Sequence, residues 1–144
     1  MLFEKKYGSI ELIDQVPCIS WIPNGVMDCE SFKTLMQAGI SYYEKYMNKY
    51  PYLLWLNDAR NLKFIGTEEQ TWLADFVNEK ARINGLKHMA FVLPKNLYGR
   101  IAVRIYINNT LQRDKNMLTI KTFKKYDKAT DWLTQKVKAK IISS

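Results

Sequence analysis

Asp58 and Arg60 stand two residues apart in Asn57-Asp58-Ala59-Arg60, directly after the apolar run Tyr52-Leu53-Leu54-Trp55-Leu56. A carboxylate and a guanidinium at the carboxyl end of a strand can hold each other, bind an ionic partner or move a proton. Two more basic groups follow apolar runs in the same way: Lys95-Asn96 after Pro94, and Lys124-Lys125 after Phe123. Thr67, Asn96 and Asp127 open amphipathic stretches, so free backbone N–H groups and positive helix ends should gather at the same edge. Asp58, Arg60, Thr67, Lys95, Asn96, Lys124 and Lys125 are therefore the candidate residues for binding an anion or an acidic partner patch. The plainer reading is a structural Asp58–Arg60 pair, with lysines that only solvate an edge.

No catalytic set is complete. His88 is the sole histidine and opens a strand, which places it at the opposite edge as a structural imidazole. The chain has no Gly-x-Ser-x-Gly elbow, no Gly-x-Gly-x-x-Gly loop and no Walker loop. Carboxylate chemistry would fall to Asp58 or Glu68, and both have simpler roles, so the expectation is a protein that is not an enzyme. One histidine and two separated cysteines, Cys18 and Cys29, supply no metal-ligand set. The cysteines read as free thiols in a reducing compartment, and no cofactor is implied. Met36, Met47, Trp72, Phe76 and Trp132 could line an apolar pocket for a lipid-like ligand, although aromatic side chains at helical spacing commonly fill cores.

Charge adds a second candidate. The chain of 144 residues has 22 Lys+Arg against 14 Asp+Glu, a net charge of +8. Residues 1–110 account for +2 and residues 111–144 for +6. The basic end carries Arg113, Lys115, Lys121, Lys124, Lys125, Lys128, Lys136, Lys138 and Lys140. It could hold nucleic acid or anionic lipid, but aromatics are not interleaved with the lysines as in a stacking platform, and a solvated helix face explains it more simply. The first eight residues carry charges where a signal peptide needs apolar residues, and no window is long enough to span a bilayer, so the expected location is the cytoplasm.

The elements that position these residues follow from periodicity. Ile10, Leu12 and Cys18-Ile19-Ser20-Trp21-Ile22 read as short strands, ended by Pro23-Asn24-Gly25. Asp28 caps a helix whose apolar face runs from Phe32 to Tyr50 and stops at Pro51. The run Tyr52–Leu56 reads as a central strand. Thr67-Glu68-Glu69-Gln70 reads as a capping box opening a second helix that ends at Gly85. His88–Leu93 and Leu118–Phe123 are further strands. Residues 96–110 alternate like a strand yet also fit a helix, and helix is chosen because parallel neighbours need a crossover. A last helix, capped at Asp127, carries Ala129, Trp132, Leu133 and Val137, and the final residues read as a loose basic tail. The expected order is β-β-α-β-α-β-α-β-α: one α/β domain over 1–144, with a mixed four- to five-stranded sheet covered by amphipathic helices.

From Tyr52 to Leu133 this order resembles the SpoIIAA-like group of the STAS (anti-sigma-factor-antagonist) superfamily. The resemblance is carried by Asn57-Asp58-Ala59-Arg60, Glu69-Gln70-Thr71-Trp72-Leu73, Gly85-Leu86-Lys87 before Ala90-Phe91-Val92 and Pro94, and the closing Ala129-Thr130-Asp131-Trp132-Leu133. It implies a bacterial, non-enzymatic regulatory module that binds a protein partner or a second copy of itself. Phosphorylated members carry a serine in Asp-Ser-Ser-Gly where this chain reads Gly66-Thr67-Glu68-Glu69; the serine motif is absent, Thr67 could in principle accept phosphate, and a capping role explains Thr67 more simply. The alternatives are a protein binding a small anionic or lipid-like ligand and, less favoured, a weak nucleic-acid binder acting through the basic end.

Overall fold

The computed structural model describes residues 1–113 and 118–143, apart from the side chains of Thr67 and Arg113. Among the described residues there are eight strands and four helices. The first half of the chain contains β1 (Phe3–Lys5), β2 (Gly8–Ile13), β3 (Cys18–Pro23), β4 (Gly25–Met27), α1 (Cys29–Tyr46), β5 (Leu54–Asp58) and β6 (Leu62–Ile65). They are followed by α2 (Thr67–Asn84), β7 (His88–Val92), α3 (Leu97–Arg113), β8 (Thr119–Phe123) and α4 (Tyr126–Ser143).

Six strands form one mixed sheet in the order β1-β2-β3-β5-β7-β8. The first two pairings are antiparallel; β3–β5, β5–β7 and β7–β8 are parallel. The α/β class and the parallel later strands are as expected, and residues 97–113 form the helix that a parallel β7–β8 pair requires. Strand number differs from the four or five expected. β1 is an unanticipated edge strand, while β4 and β6 pair in a separate two-stranded sheet.

The order of the parallel strands decides the layers. From β3 to β8 the chain steps across the sheet in one direction, and right-handed crossovers taken in one direction stack their helices on one face. The side chains agree. Trp21 meets Phe32 of α1 edge-on at 5.7 Å, Trp55 lies 6.2 Å from Tyr43 of α1, and Phe91 lies 5.4 Å from Tyr106 of α3. α4 covers the opposite face, where Trp132 packs against His88 and Phe123 at 5.9 and 5.8 Å. Because the strand order never reverses, the sheet offers no switch-point crevice of the kind that supported the carboxyl-edge expectation.

Three boundaries move. The cap of α2 is Gly66, not Thr67, and no side chain caps it; Gln70 N–H donates to Gly66 O at 3.1 Å. A Cβ at Gly66 would meet only the end of the flexible Glu69 side chain, and its backbone is ordinary extended, so glycine is not required there. α4 begins at Tyr126, which puts Asp127 inside the first turn, where its carboxylate accepts from Lys128 N–H at 3.0 Å. The end expected to be loose is helical to Ser143. Asp28 caps α1 as expected, accepting from Ser31 N–H at 2.7 Å.

Gly39 lies on the inner face of α1, where a Cβ would stand 2.8 Å from the Trp55 ring and 3.1 Å from Trp21. Alanine gains about 1 kcal/mol over glycine in a free helix, whereas overpacking a core costs about 1–3 kcal/mol. Trp55 cannot swing aside easily, since its indole N–H is bonded to Asn57 Oδ1 at 2.8 Å. Gly39→Ala should therefore lower the urea midpoint; an unchanged or higher midpoint would show that the indoles give way.

Candidate functional site

β5 ends in two buried polar residues, Asn57 and Asp58, which alternation sends to opposite faces. Asn57 joins Trp55 on the face of α1. Asp58 meets Arg60 fork to fork: Nε donates to Oδ1 at 2.8 Å and Nη2 to Oδ2 at 2.7 Å. The guanidinium then stacks over Tyr126 at the start of α4, 4.8 Å from the ring centroid. Hydrogen bonding to Asp58 is the main cause of the raised Arg60 pKa. Burial raises the Tyr126 hydroxyl, with smaller contributions from Cys18, Glu11 and Asp58 that Arg60 opposes. The sequence pattern brings Asn57-Asp58-Ala59-Arg60 and Lys124-Lys125-Tyr126 to one edge, but it gives no sign that Tyr126 would be the ring under Arg60.

The other expected site residues are dispersed. Lys124 and Lys125 are exposed beside Tyr126. Lys95 is exposed in the loop after β7, and its carbonyl accepts from Arg100 Nη2 at 3.0 Å. Asn96 is committed to structure: its Nδ2 donates to Leu62 O at 2.9 Å, and its Oδ1 accepts from Gly99 N–H at 2.8 Å. This ties the start of α3 to β6. The Thr67 side chain lies outside the described residues, as do Lys115 and the side chain of Arg113 in the basic end. The edge thus gathers Asp58, Arg60 and Tyr126 into one ion-pair and stacking cluster, with lysines beside it.

Nor do the five expected pocket residues converge. Met36 is core; Trp72 stacks on Phe76 at 4.9 Å along α2, with Lys33 Nζ 5.3 Å from the Trp72 ring. Trp132 lies on the far face of the sheet, and Met47 borders a cavity at the amino edge. Among the described residues no group of His, Cys, Asp or Glu could hold a metal ion, and no helix is long and apolar enough to cross a membrane.

A surface the sequence did not single out lies next to Asn96. Val26 of β4, Phe64 of β6 and Tyr98 of α3 border an open depression of about 410 Å³ together with Lys63 and Asn96. Val26 is 68% exposed and Tyr98 72%, values unusual for residues of their kind. Leu97, Ile101 and Ile105 continue the apolar surface along α3 at four-residue steps, while Ala102, Val103 and Tyr106 bury the other side of the helix. Arg100 and Arg104 flank the stripe, and α3 contains no acidic residue.

Compared with family models, curated proteins and solved structures, the chain matches none.

Two outcomes follow from the buried polar groups. Asp58→Asn leaves Arg60 half-answered but able to turn toward solvent, so the loss should be about 1–2 kcal/mol in denaturant unfolding; a loss near zero would remove the pair from the fold's support. Burial pushes the Cys18 thiol from 9.0 up to about 12 and the Tyr43 hydroxyl from 10.0 up to about 12. Both groups keep their protons in the fold at a pH where the unfolded chain has lost them. Their contribution is therefore whole below pH 9 and shrinks as pH climbs from about 9 toward 12. Unfolding free energy should fall across that window, less steeply in Cys18→Ala, and a flat profile would contradict the burial argument.

Proposed function

We propose that the chain is a non-enzymatic binding module of the cytoplasm that docks a protein partner on the face built by β4, β6 and α3. The observation that carries this reading is the exposed apolar stripe from Val26 and Phe64 through Tyr98, Ile101 and Ile105. A helix that needs only one buried face ordinarily turns polar residues outward, and α3 turns leucine, tyrosine and isoleucine outward instead. The stripe is bordered by Lys63, Lys95, Arg100 and Arg104, so the complementary surface is apolar with an acidic rim. The same charges disfavour a second copy of this face, because a two-fold contact would set arginine against arginine.

The resemblance of residues 52–133 to SpoIIAA-like STAS modules supports the same class of activity, and in that reading the protein is a bacterial regulator. The committed Asp58–Arg60–Tyr126 cluster favours a structural edge over a reactive one.

Phe64→Ser and Ile101→Ser together should leave stability within about 0.5 kcal/mol, as surface changes do. They should abolish capture of an acidic partner from extract of the native cell, and the partner, once purified, should bind wild type with an affinity that falls as salt rises. A partner retained equally by the double variant, or a homodimer whose contact survives it, would overturn the reading.

A further inference from the structure

A cavity of about 470 Å³ opens at the amino edge of the sheet, far from the carboxyl edge that the sequence favoured. It lies where β5 and β7 begin and where α1, α2 and α4 end, and its volume suits a small organic ligand. Its floor is apolar, with Met47, Pro51, Leu54 and Val137, whereas its polar groups include Lys136, Lys140 and His88. Lys87 lines it as well, and the lining holds no aspartate or glutamate.

That combination sets the sign of the ligand. Lys136 and Lys140 stand one turn apart on α4, and both, after burial, hold the His88 imidazole below its ordinary pKa. A positive potential is thus concentrated against a low-dielectric wall, where an anion gains more than it would in water. The same geometry limits the charge. Helix carboxyl ends carry partial negative charge, and three of them close around this cavity. A compact dianion such as phosphate would face those carbonyl ends without any helix amino end to offset them. A singly charged head can take the ammonium groups while its body covers the apolar floor.

We infer that this amino-edge cavity binds an amphiphilic monoanion, with a carboxylate held by Lys136, Lys140 and His88 and an apolar chain laid over Met47, Leu54 and Val137. Lys136 also lies 5.6 Å from the Trp132 ring and Lys140 can neutralise the end of α4, roles that carry no preference for an apolar body. The site is separate from the α3 face and does not depend on the docking proposal.

Dodecanoate, kept below its micelle concentration, is the probe, titrated into the full chain by calorimetry and followed by amide chemical shifts. Binding should be one to one, with shifts centred on Leu54, Gly85 and His88. Dodecyltrimethylammonium, butyrate and inorganic phosphate should each bind at least about tenfold more weakly, the scale expected when one charge-assisted contact or the buried chain is lost. Lys136→Gln with Lys140→Gln should cost dodecanoate about tenfold while leaving binding of the uncharged dodecanol unchanged. Ala139→Trp, placed at the exposed rim, should block both ligands. Equal binding of the cationic detergent, phosphate binding as tight as dodecanoate, shifts centred elsewhere, or a double glutamine variant that binds like wild type would each overturn the inference.

Discussion

Parallel strands cannot be joined by a tight turn, and each parallel step in this sheet needs a connection long enough to return to the starting edge. From β3 onward every step goes to the next position outward, so α1, α2 and α3 share one face and leave the other bare. α4 is the element that covers it. Its buried Ala129, Leu133 and Val137 close the second half of the core over β5, β7 and β8. The cluster of Asp58, Arg60 and Tyr126 sits where α4 begins, and the amino-edge cavity lies where it ends. Both sites are consequences of one helix, α4, that spans the sheet from one edge to the other.

The core under α1 shows how tightly the helical layer is specified. Trp21 and Trp55 lie on neighbouring strands and approach the helix at Gly39, where no larger residue leaves room for both indoles. Asn57, paired with Trp21 across the ladder, accepts the Trp55 indole N–H. Its Nδ2 and the Trp21 indole N–H meet no acceptor among the described residues. Each such donor costs about 1–3 kcal/mol when buried, so this layer depends on its aromatic packing to offset polar groups placed inside it.

Long elements were legible because their apolar residues repeat. Phe32, Leu35, Met36, Gly39, Ile40 and Tyr43 mark one face of α1, and the continuous Leu54–Leu56 and Met89–Val92 runs mark strands covered on both sides. The strands β1, β4 and β6 were not legible, because three or four residues such as Phe3-Glu4-Lys5 or Leu62-Lys63-Phe64-Ile65 carry too little pattern. Their pairing is set by tertiary contact: Gly25 N–H reaches Asn61 O at 2.8 Å, and Asn96 holds Leu62 from a distant part of the chain. The same limit applies to the sites. Asp58 and Arg60 are two residues apart and could be read locally. Tyr126 could be placed at the same edge, but its stacking on Arg60 is set by the fold, and the cavity draws on separate segments, none of which looks like a site alone.

Sequence charge also takes on a different meaning once placed. The excess of lysine near the end of the chain reads, in one dimension, as a basic tail. In the fold it is divided: Lys121 and Lys136 lie over the Trp132 ring at 6.0 and 5.6 Å, Lys124 and Lys125 sit at the carboxyl edge, and Lys140 borders the cavity at the other. A continuous phosphate-tracking stripe needs these charges along one line. Their separation across both edges of the sheet weakens that use, and it leaves a local cluster beside an apolar floor as the arrangement with the clearest chemical selectivity.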